Sequence, residues 1–240
     1  MKQSWKIRQS LLLCGEPIKI EKDLYVYQPT VRDEATLGDE EFGKITYVWN
    51  ITRKDLIEEE TDETWNLDDW EVYKKALIYN LDLQQVFKYS VLFFMHKKVE
   101  FLKMQNSIFI GELESGIELS EELFSKIQSV IKQITLQKEE DEHSQNAPRS
   151  RRAQEIHDKI VEGEKRLSNL KKEKGVDTLS SMIIGVVAHG HSYEEVLSMT
   201  LPQFWAIIEK IVQIENYEFN VLLSPYMDKK SARDSKHWTE

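Results

Sequence analysis

Two histidines one residue apart, His189 and His191, are the nearest this sequence comes to a metal-ligand pattern. A zinc site needs three or four ligands, and no nearby cysteine or spaced histidine completes the set. The pair therefore reads as helix-end imidazoles that satisfy terminal carbonyls. The acidic runs Glu58–Glu63 and Asp68–Asp69 carry the carboxylate oxygens a hard cation prefers. Such ligands must converge from different elements, however, and consecutive carboxylates describe a solvated acidic loop. Cys14 is the single cysteine, so it has no internal disulfide partner, supplies no thiolate zinc set, and lacks the basic neighbours that activate a thiol. Neither a G-x-S-x-G elbow nor a phosphate-cradling glycine loop occurs among the nine glycines. The sequence thus predicts no catalytic residue, no metal and no cofactor. The route left to an enzyme is a site whose members meet only in three dimensions.

Binding is the better-supported chemistry. The 240 residues hold 32 Lys or Arg and 42 Asp or Glu, a formal net charge of −10 that opposes a phosphate backbone. Arg149, Arg151 and Arg152 form one basic patch, but no aromatic residues are interleaved for base stacking, so it reads as linker and no nucleic-acid partner is expected. The stretch Leu201 to Leu223 has helical periodicity, with Leu201, Phe204, Trp205, Ile208, Ile211, Val212 and Leu222 on one stripe. Stripes of this kind most often face the chain's own core, yet Phe and Trp also anchor protein interfaces. Trp238 stands in a polar tail where self-burial is harder to arrange. The candidate partner-binding residues are therefore Phe204, Trp205, Ile208, Ile211 and Trp238, for a protein partner or for a homo-oligomer.

The elements around them are readable from local signals. Pro17–Ile20 and Leu24–Tyr27 flank Glu21–Asp23 as the arms of a short hairpin. Thr30 with Asp33 is a capping-box variant starting a helix towards Gly38. Asn66 and Asp69 repeat that signal before Trp70, Tyr73 and Leu77, and Leu81 to Leu102 supplies a further apolar helical run. A second hairpin is expected from Ser107–Ile110 and Gly116–Leu119, after which Ser120 caps a helix through Ile127, Ile131 and Ile134. Further on, Asp177 to His189 predicts a helix closed by Gly190, followed by capping boxes at Ser192/Glu195 and Thr200/Gln203. Strands without regular β-α alternation among dominant helices give an α+β, mainly helical fold: short N-terminal hairpins packed with helices, then a C-terminal helical subdomain.

Charge divides the chain in three. Residues 1–136 carry net −7, residues 137–174 net +1 with 19 charged side chains in 38 positions, and residues 175–240 net −4. The middle segment, with its polar stretch at 138–152 and a weakly apolar helical pattern at Ile156, Ile160, Leu167 and Leu170, is expected to be a charged linker and solvated helix between an α+β domain and a helical subdomain. No signal-peptide core and no run of 18 apolar residues is found, so a cytoplasmic protein is expected, with no membrane partner.

Three ordered N-terminal runs, Gly15–Ile20, Leu24–Thr30 and Leu37–Phe42, resemble the opening of small tail-assembly proteins of tailed phages that infect Gram-positive bacteria. His191–Trp205 and the closing Lys236–Glu240 resemble the helical end of the same proteins. Together these stretches cover under a third of the chain, and the charged insertion around 137–174 departs from the pattern. The resemblance implies a non-enzymatic chaperone in the host cell cytoplasm that binds the tape-measure protein and delivers it to tail-tube subunits. A structural subunit of the tail, neck or baseplate is the alternative it allows.

Overall fold

The computed structural model describes residues 6–57, 67–135 and 178–223, with side chains as far as Glu218. Within them, residues up to 135 and from Leu197 onward belong to one compact unit, and residues 178–196 belong to a second.

In the first unit, helix α1 (Gln9–Cys14) ends at Gly15, whose φ of 72° is left-handed. Strands β1 (Ile18–Glu21) and β2 (Leu24–Val26) form the expected antiparallel hairpin, with Ile18 opposite Val26. Thr30 then caps α2 (Val31–Leu37) as expected. Its backbone N–H donates to Asp33 Oδ2 at 2.8 Å, and the Asp33 N–H donates to Thr30 Oγ1 at 3.2 Å. Gly38 joins α2 to α3 (Asp39–Tyr47) at φ 79°, ψ 158°, a region open essentially to glycine alone. A short α4 (Arg53–Leu56) opens on a Thr52–Asp55 capping box.

Helix α5 (Asp69–Tyr79) starts from Asp68, whose Oδ1 accepts the Glu71 N–H at 2.7 Å. Asp68 thus caps the helix where Asn66, with Asp69 three residues on, was expected to do so; Asn66 itself lies outside the described residues. The apolar run from Leu81 is not one helix to Leu102. Helix α6 (Leu81–Met95) stops at His96, which is left-handed at φ 54°, and β3 (Val99–Leu102) follows. Val99 and Phe101 alternate with Glu100, a two-residue period that suits a strand better than a continued helix. Strand β4 (Ser107–Ile110) lies between β3 and β5 (Ile117–Glu118), so the expected second hairpin is two strands of a three-stranded antiparallel sheet. Ser120 caps α7 (Glu121–Ile134) through the Leu123 N–H at 3.2 Å, and Leu123, Phe124, Ile127, Val130, Ile131 and Ile134 are its buried stripe.

These parts meet around the C-terminal end of α3. Helices leave their last carbonyls without intrahelical donors, and here three other helices donate to one such carbonyl and to the two that follow the helix. Ser90 Oγ of α6 donates to Ile45 O at 2.6 Å, Tyr73 Oη of α5 to Val48 O at 2.6 Å, and Gln128 Nε2 of α7 to Trp49 O at 2.5 Å. The fully buried Trp49 indole donates to Ser90 Oγ at 2.7 Å and packs on Phe87 and Phe124, with ring centroids at 5.0 and 5.4 Å. Burial pushes the Tyr73 phenol well above its ordinary range, consistent with a neutral hydroxyl that only needs to donate.

Helix α8 (Thr178–Ala188) and most of α9 (Tyr193–Ser198) lie in the second unit. Gly190 is left-handed at φ 103°, and the Ser192–Glu195 capping box forms, with Glu195 Oε2 accepting the Ser192 N–H at 2.8 Å. The last described helix, α10 (Leu201–Leu223), belongs with the N-terminal elements, whereas the charge pattern grouped it with residues 175–240 as a separate subdomain. The reason is backbone pairing. Thr30 and Thr200 form an antiparallel bridge, the Leu201 N–H donates to Pro29 O at 2.9 Å, and the Val31 N–H donates to Met199 O at 2.9 Å. The fold class is as expected, α+β and mainly helical, with two small antiparallel sheets.

Candidate partner-docking surface

The first turn of α10 explains why its stripe is only partly available. The Thr200 N–H donates to Gln203 Oε1 at 2.9 Å, which is half of the expected capping box, while the buried Thr200 hydroxyl finds no partner. Gln203 Nε2 is engaged by Leu13 O at 2.8 Å, and Gly15 leaves room for this contact: a Cβ there would meet the Gln203 and Thr200 side chains at 3.3 Å. That anchoring drives Leu201, Pro202 and Phe204 into the unit's own core, and Phe204 is fully buried.

Phe204 is accordingly no surface anchor, which corrects the expectation placed on it. The 3.6-residue period identifies a face without saying whether the chain itself or another chain covers it. Trp205 sits edge-on to Phe204, with ring centroids 5.8 Å apart, and is half-buried, as are Ile208 and Ile211; Val212 is exposed. So the stripe splits. Its first turn is core, and from Trp205 to Val212 it stays in partial contact with solvent. Trp238 lies outside the described residues, as do Glu58–Glu63 and Arg149–Arg152.

The other sequence candidates resolve into local structure. His189 Nδ1 lies 2.9 Å from Gly185 O at the end of α8, the helix-end arrangement expected of it. Asp68 is a cap, and Asp69 Oδ1 lies 3.6 Å from Arg53 Nη1. Cys14 is exposed. Among the described residues, no three His, Cys, Asp or Glu side chains are grouped to hold a metal ion. Glu34, whose partly buried carboxyl is pushed up by desolvation and then by the neighbouring Asp39 charge, has no hydrogen-bond partner at Oε2. No described helix is long and apolar enough to cross a membrane.

A second surface feature went unread in the sequence. Tyr89, Leu92 and Phe93 share one face of α6 at i, i+3, i+4 spacing, and with His96 just past its end and Tyr27, Pro29 and Asp33 they line a surface pocket of about 430 Å³. That spacing was present in the sequence, but the run from Leu81 is apolar on every side and conceals which face is left uncovered.

Residues 171–240 match the family model described as the second domain of YomV, a protein of a Bacillus prophage. This part of the chain is thereby similar to a phage-related domain, and the matched stretch contains α8, α9 and α10. No curated protein and no solved structure matches the chain.

Proposed function

We propose that this protein is a non-enzymatic assembly factor of a tailed phage, a chaperone that binds the tape-measure or tail-tube protein in the host cytoplasm during tail morphogenesis. The observation that carries the reading is the half-open apolar face of α10, Trp205, Ile208 and Ile211, which falls inside the stretch similar to a prophage domain. The ordered N-terminal motifs support the same reading. A chaperone of this kind needs an apolar face for a partner's helix and enough charge to stay in solution, and the chain carries both. Neither nucleic acid nor membrane is a partner in this proposal, no cofactor takes part, and self-association through the same face competes with the client.

The test is co-expression with a helical tape-measure segment. The wild type should co-purify with it and keep it soluble, whereas Trp205→Ala with Ile211→Ala should weaken the complex at least ~10-fold, the equivalent of about 1.4 kcal/mol, and by more than it lowers the stability of the free protein. Phe204 is excluded from the test because truncating its fully buried ring costs about 3–5 kcal/mol of stability whatever it does to binding. A wild type that ignores the segment at micromolar concentration refutes the proposal. Mass spectrometry of purified virions separates the alternative, a tail, neck or baseplate subunit: a chaperone is missing from the particle, while a subunit is present in stoichiometric amount.

A further inference from the structure

The pocket beside α6 has a chemistry of its own. Three of its walls are aromatic: Tyr27, which stacks on the His96 imidazole with ring centroids 4.1 Å apart, Tyr89, and Phe93. Tyr27, Tyr89 and Leu92 are 36%, 44% and 51% exposed, so these apolar surfaces stay wet in the free chain. Asp33 is the one carboxylate in the lining, and no lysine or arginine is part of it. Lys97 and Lys98 line the adjoining cavity, which they share with Asp23, Glu112 and His96. Gln28 also forms part of the wall. Its Nε2 donates to Glu16 O at 3.0 Å and approaches Leu11 O at 3.5 Å, while its buried Oε1 has no donor.

Aromatic faces carry negative quadrupole charge and attract cations, and arginine more often than lysine, because the planar guanidinium stacks on the ring while its edge donates hydrogen bonds. A carboxylate at the rim adds to that preference through charge-assisted bonding. The donor-poor Gln28 Oε1 adds an acceptor just behind the wall, one that a group with five N–H donors could reach after a small shift of the amide. We propose that this pocket is a binding site for an arginine side chain presented by a partner polypeptide, with the guanidinium stacked against Tyr27 and Tyr89 and directed at Asp33. The site is separate from the α10 face, and the inference holds whatever the partner's identity.

The probe is Nα-acetyl-arginine amide, titrated into the full chain at pH 8, with binding read from NMR shifts of the aromatic and histidine side chains. A ligand of this size should bind with Kd on the order of 1 mM, with the largest shifts on Tyr27, Tyr89 and His96. The neutral isostere acetyl-citrulline amide should bind at least ~5-fold more weakly, and added salt should weaken arginine more than citrulline. Tyr89→Ala removes an exposed ring and keeps the fold, and it should reduce arginine affinity at least ~5-fold. Asp33→Asn tests the carboxylate but also loosens the Thr30 cap, so its unfolding midpoint is measured alongside. Equal affinity for arginine and citrulline, shifts mapping elsewhere, or a folded Tyr89→Ala protein that binds arginine as the wild type does would overturn the proposal.

Discussion

Ser90 is the clearest place to test what holds the first unit together. Its hydroxyl accepts from the Trp49 indole at 2.7 Å and donates to Ile45 O at 2.6 Å, and all of it is buried. The Trp49 backbone N–H, which would ordinarily reach back to Ile45 O, bonds to Thr46 O at 3.3 Å instead, so Ser90 takes its place at that carbonyl. Ser90→Ala leaves a buried indole N–H and a buried carbonyl without these partners at almost no change in volume. At roughly 1–3 kcal/mol for each stranded group, with partial relaxation, the expected loss is about 2–4 kcal/mol. Trp49→Phe removes the N–H but opens a small cavity beside Phe87 and Phe124, at about 1–3 kcal/mol. In the double variant the indole donor is absent, so the two losses should fall short of their sum by about 1–2 kcal/mol. Urea unfolding followed by far-ultraviolet circular dichroism reads these as midpoint shifts on the order of 1 M at unchanged slope. A Ser90→Ala loss below about 0.5 kcal/mol, or strict additivity, refutes the relay as a load on stability.

Three further outcomes follow from other parts of the fold. Burial and Asp39 raise the Glu34 carboxyl above its ordinary range, so the folded chain holds that proton more tightly than the unfolded chain does. Its contribution to stability is greatest below the ordinary carboxylate range and declines as pH rises through the raised value. Glu34→Gln should therefore be more stable than the wild type at pH 7, with the difference vanishing towards pH 4 in thermal melts; a destabilised variant at pH 7 contradicts the assignment. Gly38→Ala, forced into a backbone region reserved for glycine, should cost about 1–3 kcal/mol, whereas Gly185→Ala, inside α8 with open space around its Cβ, should gain up to ~1 kcal/mol. Denaturation of the pair checks both signs.

What the sequence disclosed was local. Thr30, Ser120 and Ser192 cap their helices as expected because the donor and acceptor lie within three residues of one another. The first hairpin and the β4–β5 pairing were legible for the same reason. Ser90, Tyr73 and Gln128 reach carbonyls 45, 25 and 79 residues away, and no spacing rule encodes such a meeting. Phe204 shows the limit for function. Its place on an apolar stripe was correct, yet periodicity alone does not tell a chain's own core from a partner's groove, and the deciding fact was the pairing of Pro29 and Thr30 with residues 200 and 201. Strand β3 was lost in an apolar run until the left-handed His96 broke it.

The bond from Gln203 to Leu13 spans 190 positions of chain. During synthesis at about 5–20 residues per second, that separation amounts to some ~10–40 s between the emergence of the two partners. For that interval the chain up to the first turn of α2 stands with Pro29 O, the Val31 N–H and the Leu13 carbonyl open to water and to other proteins. The nascent N-terminal half is then an unfinished surface awaiting its final helix, and whatever occupies the vacant seam first, a host factor or a second nascent chain, competes directly with completion of the fold.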